Sequence, residues 1–202
     1  VHSWLPGEEA AGRITDFVEA ANVLGRFVAA LQRIDTSGGP RSGPNNHMRG
    51  TPLANRDQRT REAIGQIKEF DRAEVMAAWE EALESPPWEG APVWVHGDLH
   101  AHNLLVEDGR ITGVIDFACL SVGDPDADLM AAWTLLPTCA RRIFRERVEA
   151  DDATWSRARG AALSLAAIAL PYYRGRNTTL ADLSRRTIEE VLAERAGKPA
   201  AH

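Results

Sequence analysis

The chain has 202 residues, of which 44% are hydrophobic and 26% are charged, so it can bury the core of one sizeable domain or two small ones. Its formal net charge of −6 argues against non-specific binding to nucleic acid, which requires a basic face. Cys119 and Cys139 are too few for a disulfide framework, and no apolar run is long enough to span a bilayer. We therefore expect a cytoplasmic protein with neither a nucleic-acid nor a membrane partner.

The first quarter of the chain predicts an extended segment, one strong helix and a long loop. Residues 1–12 read as extended chain with a Pro-Gly turn. Residues 14–34 predict a helix, because their apolar residues recur at spacings of three and four, and Thr15 or Asp16 can cap its start. Residues 35–55 are rich in Gly, Pro and Asn, which predicts an irregular loop of the kind that often carries function.

The remainder predicts three short strands between two groups of helices. The predicted strands are 93–95, 104–106 and 111–115. An Asp-Gly pair between the last two strands predicts a hairpin. The predicted helices are 56–70, 72–84, 126–136, 138–148, 152–170 and 179–195. The candidate caps of the last two helices are Asp151 or Asp152 and Thr178 or Thr179.

Polar residues at the ends of the predicted strands point to phosphoryl transfer. Asp98 follows the first strand, Asn103 precedes the second, and Asp116 ends the third, so one end of three neighbouring strands should carry all of them. A carboxylate at Asp98 can align a substrate hydroxyl, while Asn103 and Asp116 offer the hard oxygen ligands that Mg²⁺ prefers. Each residue alone is more often a turn or cap residue. The joined pattern H-x-D-x-x-x-x-N, followed by hydrophobic-Asp-Phe, favours the chemical role.

The three histidines of this segment raise the alternative of a zinc site. Their spacing matches no standard zinc finger, and no cysteine lies close enough in sequence to complete one. We expect His100 and His102 to face solvent or phosphate, and His96 to hydrogen-bond the loop backbone.

Acidic residues after the motif have both structural and functional interpretations. Asp124 precedes Pro125 and can cap the following helix, with proline at its first position. Asp128 lies inside that helix, either on a solvated face or facing a group that needs a carboxylate. Three further acids, which could meet a polycation or serve as caps and solvated charges, are Asp126, Asp151 and Asp152.

The segments HGDLHAHNLLV and VIDFACLSVGDPDADL closely resemble the signature of the aminoglycoside phosphotransferase and choline kinase family, relatives of protein kinases. The opening SWLPGE resembles that family's hinge between lobes, and the resemblance covers nearly the whole chain. It implies an α+β, mostly α fold: the C-terminal (large) lobe of the protein-kinase-like fold, with helices around a small β-hairpin that carries the catalytic loop. Residues 1–12 would be a hinge remnant, and residues 13–202 the substrate- and metal-binding lobe.

The resemblance also assigns roles within the site. Asp98 matches the catalytic aspartate, and His96 belongs to the same catalytic motif and braces its loop. Asn103 and Asp116 match the ligands of Mg²⁺. Asp128 matches a residue that supports the loop through its backbone. Adenine of ATP, or the base of another nucleoside triphosphate, would meet backbone groups near Ser3, Trp4 and Leu5.

One departure from the family is large. Its nucleotide-binding lobe has a covering loop and a strand lysine, whereas the lysines here are Lys68 and Lys198, both in the wrong context. We therefore expect the N-terminal lobe to be absent from this chain, as in a truncated form or fragment of a longer enzyme. The missing lobe would be its partner. This polypeptide alone should bind nucleotide very weakly and be inactive.

The expected function of the intact protein is transfer of the γ-phosphate of ATP to a hydroxyl of a small molecule, with an aminoglycoside or a similar antibiotic as the expected substrate. One alternative is a metal-dependent phosphoesterase that uses His96 and Asp98 as ligands and needs a two-metal cluster. Another is a non-catalytic binding module derived from the kinase lobe. In that case an apolar surface near residues 1–10 and 93–95 would produce self-association.

Overall fold

The computed structural model describes residues 5–197, so Ser3 and Trp4 of the predicted hinge lie outside the described residues. Within that range the chain forms a mostly helical α+β fold with five short strands. The strands are β1 Glu8–Glu9, β2 Val93–Val95, β3 Leu104–Glu107, β4 Arg110–Val114 and β5 Ser121–Gly123. The helices are α1 Phe17–Gln32, α2 Asp57–Ile64, α3 Arg72–Leu83, α4 Asp126–Leu129, α5 Ala131–Thr134, α6 Thr138–Val148, α7 Asp152–Tyr173 and α8 Thr178–Arg195. None of the helices between residues 5 and 197 combines the length and apolar character that crossing a membrane requires.

Capping side chains set the starts of the long helices. The Asp16 carboxylate accepts the Glu19 N–H at 2.9 Å and begins α1, and Asp151 caps α7 in the same way. The expectation of a threonine cap on α8 is wrong. Asn177 has an extended backbone, and its side-chain oxygen accepts the Leu180 N–H at 3.1 Å, which leaves Thr178 inside the first turn.

The predicted helix 126–136 is instead two short helices, α4 and α5. The chain tightens at Met130, where ψ is −20° and the Trp133 N–H donates to the Met130 carbonyl three residues back. Such a bond is typical of a 3-10 turn and breaks the regular α-helical ladder. Periodicity cannot reveal this break, because all of α4 and most of α5 are buried.

The strands form two antiparallel sheets rather than one row of three neighbours. The first sheet has the order β1-β3-β4, with the predicted hairpin between β3 and β4. The second pairs β2 with β5, a strand that the sequence did not predict. The expectation that β2 lies beside the hairpin is therefore wrong. Both β1 and β5 are too short, at two and three residues, for an alternating pattern to show in the sequence.

Helix packing provides the rigid frame below the sheets. Helix α1 packs on α6, and α7 packs on both α3 and α8. Trp79, Trp133 and Phe144 are almost fully buried between these helices, and burial of each such side chain contributes about 1.5–3 kcal/mol. A buried ion pair joins Arg141 of α6 to Glu190 of α8. These contacts hold α7 and α8 in fixed positions relative to the loops above them.

The 35–55 loop is irregular, as predicted, but it is tied to the smaller sheet. It contains two 3-10 turns, at Pro44–Asn46 and Leu53–Arg56. The Asn46 side-chain amide donates to the Ser121 hydroxyl at 2.6 Å and to the Arg49 carbonyl at 2.9 Å. These bonds fix the loop against β5 and hold Arg49 beside the segment that follows β2.

Candidate active site

The loop that follows β2, residues 96–103, is shaped by Gly97 and His96. Gly97 has φ of +79°, and a Cβ there would lie 2.8 Å from the Cys119 carbonyl oxygen, so the position requires glycine. His96 is fully buried, and its Nε2–H donates to the Ile115 carbonyl at 3.0 Å. Its Nδ1 accepts the Asp98 N–H at 3.3 Å. Both ring nitrogens are therefore used within the protein, which favours a positioning role over direct contact with a substrate.

Asp128 of α4 anchors the same loop through hydrogen bonds to its backbone. Its side chain is fully buried, and its two oxygens accept the backbone N–H groups of His96 and Gly97, each at 2.8 Å. Burial raises the pKa of the Asp128 carboxyl, and the two N–H donors oppose that rise. The carboxylate of α4 thus satisfies two buried donors that the bend of the loop would otherwise leave unpaired.

Asp98 emerges from this loop with three polar neighbours. The Asn103 amide nitrogen donates to the Asp98 carbonyl at 2.9 Å and to its carboxylate at 3.2 Å. The Arg49 guanidinium lies 3.2 Å from one carboxylate oxygen, and His100 Nε2 lies 3.3 Å from the other. Burial alone would raise the pKa of Asp98, but the His100 hydrogen bond and the Arg49 charge outweigh it and hold that pKa below its usual range. Asp98 is therefore a carboxylate at neutral pH.

Asp116 lies just after β4, at the end of the hairpin, in a left-handed backbone conformation with φ of 61°. Such a conformation is uncommon outside glycine and is found at sites where geometry is constrained by function. One carboxylate oxygen accepts the Ala118 N–H at 3.3 Å, and the residue is exposed. Burial, and then the charge of Asp98, raises the pKa of the nearby Cys119 thiol, so the thiol is neutral.

Asp98 and Asp116 line one cleft of about 770 Å³. The lining also includes Arg49, His100 and His102, and most of the remaining lining residues come from α7 and α8. Leu5 of the predicted hinge is exposed and does not line this cleft. The structure thus places Asp98 and Asp116 on a common surface, and Asn103 hydrogen-bonds Asp98.

The donor set suits a hard cation such as Mg²⁺. The Asn103 amide directs its nitrogen to Asp98, so among the described residues its Oδ1 has no hydrogen-bond partner. That oxygen and the exposed Asp116 carboxylate are ligands of the type that magnesium takes. In chemical type, these residues fit the ion.

A site built on clustered histidines and acids is not supported by the described residues. Between residues 5 and 197, no group of three or more His, Cys, Asp or Glu side chains gathers closely enough to hold a metal ion. A two-metal phosphoesterase needs such a cluster. His96, which that alternative requires as a ligand, has both nitrogens in hydrogen bonds.

Arg49 is the main site residue that sequence reasoning missed. It is almost fully buried although it comes from the irregular loop, and it reaches Asp98 across 49 positions of sequence. The only available signal was the general expectation that the 35–55 loop contributes to function. His100, which was expected to face solvent or phosphate, lines the cleft, and its Nε2 also lies 3.3 Å from the Asp98 carboxylate.

The chain belongs to the phosphotransferase enzyme family (APH), whose model matches residues 1–163. Among curated proteins, it is similar to aminoglycoside 3'-phosphotransferases from Escherichia coli and Salmonella typhimurium. It is 24% identical to each over 151 residues, which are 70% of this chain and 55% of each relative. The chain thus spans little more than half the length of these relatives.

Solved structures share the fold. The GDP and kanamycin complex of APH(2")-IIia has a TM-score of 0.65 at 18% identity, covering 95% of this chain and 69% of that one. Macrolide 2'-phosphotransferase MphH from Brachybacterium faecium has a TM-score of 0.58 at 23% identity, covering 92% of this chain and 67% of that one. The chain therefore has the fold of these phosphotransferase structures.

Proposed function

We propose that this chain is the acceptor- and metal-binding lobe of an enzyme that transfers the γ-phosphoryl group of a nucleoside triphosphate, ATP in the first instance, to a hydroxyl of a small molecule such as an antibiotic. The observation that carries the proposal is the position of Asp98: it lies on a cleft shared with Asp116, and Asn103 is bonded to its carboxylate. Membership of the phosphotransferase family supports it.

Asp98 would accept a hydrogen bond from the substrate hydroxyl and direct the oxygen toward the phosphorus in line with the leaving group. As the new P–O bond forms, the bond to the nucleoside diphosphate breaks, and the hydroxyl proton passes to the Asp98 carboxylate. Asn103 Oδ1 and Asp116 would hold Mg²⁺, which when bound neutralises phosphate charge. His96 and Asp128 would keep the loop in position.

Nucleotide binding by this polypeptide alone should be weak. Within residues 5–197, the lysine that clamps the phosphates in kinases has no counterpart in the cleft, because Lys68, the lysine of that range, is exposed and lies elsewhere. We propose that a separate nucleotide-binding lobe completes the site. Calorimetric titration of the chain with Mg-ATP should give a Kd in the millimolar range, which corresponds to a binding free energy of about −4 kcal/mol. A micromolar Kd would refute this part of the proposal.

The decisive experiment is phosphoryl transfer from ATP by the gene product that contains these residues, against a panel of hydroxylated antibiotics. Asp98→Asn should lower kcat by roughly 10²- to 10⁴-fold, because the amide is isosteric but cannot accept the proton. The matched control is Asp182→Asn, at an exposed carboxylate of α8 that pairs with Arg185 outside the cleft. Full activity in Asp98→Asn would refute the assigned role.

A further inference from the structure

We infer that the acceptor is a hydroxylated molecule with an apolar body and a neutral or anionic charge, and not a polycation. This inference rests on the proposed function, since it names the substrate class of the same cleft. Binding of a polycationic aminoglycoside requires carboxylates along the acceptor wall to pair with its ammonium groups. The cleft has a different character.

In the part of the chain that the structure describes, the helical wall of the cleft carries no charged side chain. Along its whole length from α5 to α8, the lining side chains are aliphatic, hydroxyl, amide or phenol groups. The aliphatic members are Leu165, Ala166, Ala169, Leu180 and Leu183. Even the polar members are partly used internally, because the hydroxyls of Ser184 and Thr187 donate to carbonyls of their own helix. An apolar molecular surface therefore fits this wall best.

Three of the four acids of α8 are engaged elsewhere, and the fourth, Glu189, is exposed and does not line the cleft. Asp182 pairs with Arg185 on the solvent side of the helix. Glu190 is buried in the ion pair with Arg141. The carboxylate of Glu194 accepts hydrogen bonds from the indoles of two tryptophans in the core. Each of these three carboxylates is committed to a structural partner, so a cationic ligand in the cleft could recruit none of them without breaking that pair.

The acids that the sequence offered as partners for a polycation are also placed elsewhere. Asp126 is almost fully buried beneath the loops, and burial raises its pKa well above the usual value. Asp151 caps α7 by accepting the Thr154 N–H at 2.7 Å. Asp152 pairs with Arg145 on the outer surface. None of the three lines the cleft.

The far end of the cleft is basic. It continues, past His47 and Arg49, into a recess of about 410 Å³ that adds Arg56 and Arg59 to the lining. Arg59 is exposed, and within residues 5–197 it makes no ion pair. Arg56 donates to the Met48 carbonyl and remains charged at neutral pH, although burial lowers its pKa to about 10. Positive charge at this end repels a polycation and attracts an anionic group.

These features define an orientation for the acceptor. Its reacting hydroxyl lies at Asp98, its apolar body lies along Leu165 and Ala169, which line both the cleft and the recess, and its remote end faces Arg59. Asp98 already has Arg49 as a charged partner, and Asp116, which lines the same cleft, is the proposed ligand of Mg²⁺. Neither carboxylate is therefore left free to pair with an ammonium group. The charge of the cleft thus selects against ammonium-rich molecules.

The test measures binding to this chain by NMR or calorimetry with three probes: phenyl β-D-glucoside, phenyl β-D-glucuronide and kanamycin. The first two differ by one carboxylate, and the third is a polycation. We expect both phenyl sugars to bind more tightly than kanamycin, and the glucuronide to bind best. Arg59→Glu should weaken the glucuronide by about 2- to 5-fold, the range of one exposed ion pair, and leave the neutral glucoside unchanged.

A second variant reverses the preference. Ala169→Glu adds a carboxylate to the wall and should raise kanamycin affinity while weakening the glucuronide. Ala30→Glu, at an exposed position of α1 away from the cleft, is the matched control and should change neither affinity. Circular dichroism verifies the fold of each variant.

Two outcomes would overturn the inference. One is kanamycin binding to the unmodified chain more tightly than either phenyl sugar. The other is no binding of any probe up to about 10 mM, the limit of measurable millimolar affinity. Neither result depends on catalysis. Tight kanamycin binding would leave the proposed phosphoryl transfer standing, whereas activity retained in Asp98→Asn would refute that transfer and leave the binding preference unaffected.

Discussion

Replacing Asp128 by alanine tests how the loop of residues 96–103 is held in position. The substitution removes a buried carboxylate that accepts the N–H groups of His96 and Gly97 at 2.8 Å each. A hydrogen bond to a charged group contributes about 1.5–3 kcal/mol, and a buried donor left unpaired costs about 1–3 kcal/mol. Relief of the desolvation that raises the pKa of Asp128 offsets part of this loss. We expect the free energy of unfolding to fall by about 3 kcal/mol.

Asparagine at the same position separates the two hydrogen bonds. It keeps one acceptor oxygen but sets an NH₂ group against the second N–H, so about half of the loss, roughly 1.5 kcal/mol, should remain. Urea denaturation followed by fluorescence of the six tryptophans measures both values. The exposed Asp182→Ala is the control and should change stability by less than about 0.5 kcal/mol. A loss below about 1 kcal/mol for Asp128→Ala would contradict the anchoring role.

Three further predictions concern buried charge and close packing. Burial and the neighbouring Asp124 raise the pKa of Asp126. Between the unfolded-state pKa of about 3.9 and the higher folded-state pKa, the native state therefore binds more protons than the unfolded state, and the free energy of unfolding falls as pH rises. Asp126→Asn should remove that slope and be the more stable protein at pH 7, as pH-dependent urea midpoints would show; an unchanged slope would contradict the assignment. Arg141→Met should cost about 3–5 kcal/mol because it strands the buried Glu190, whereas Arg142→Met, in an exposed pair one residue along, should cost under about 1 kcal/mol; equal losses would refute the distinction. Gly160→Ala places a Cβ 2.5 Å from the Ala82 Cβ and should destabilise by about 1–3 kcal/mol, while Gly43→Ala enters open space and should leave the melting temperature nearly unchanged.

The sequence predicted those parts of the fold whose causes are local. Helix α1 has a continuous apolar face and a capping Asp16, and the β3–β4 hairpin has an Asp-Gly turn. The pairing of β2 with β5 depends on contacts about 28 residues apart between segments of three residues, which leave no periodic pattern. The sequence therefore cannot distinguish two separate sheets from a single sheet that contains all of these strands.

In the candidate site, too, the sequence predicted the residues that lie close together in the chain and missed the one that reaches the site from elsewhere. Asp98, Asn103 and Asp116 stand in one short motif, so their residue types and spacing were enough to select them. Arg49 comes from a separate loop, and its approach to Asp98 depends on Asn46 binding Ser121 of β5. The contact between Arg49 and Asp98 forms only because a separate hydrogen bond, from Asn46 to Ser121, holds the Arg49 loop in place. Such a contact has no signature in a single sequence.

The low pKa of Asp98 determines what the rest of the site must provide. A carboxylate held below its usual pKa by His100 and Arg49 is a weak base, so in the proposed reaction Asp98 first aligns the hydroxyl and takes up its proton only as the new P–O bond forms. Alignment depends on position, and the loop is fixed from three directions: by the His96 ring bound to Ile115, by the close approach of Gly97 to Cys119, and by Asp128 below. Catalysis by positioning requires a rigid loop, and the buried groups that never reach the cleft are therefore as necessary to the proposed reaction as the carboxylate that does.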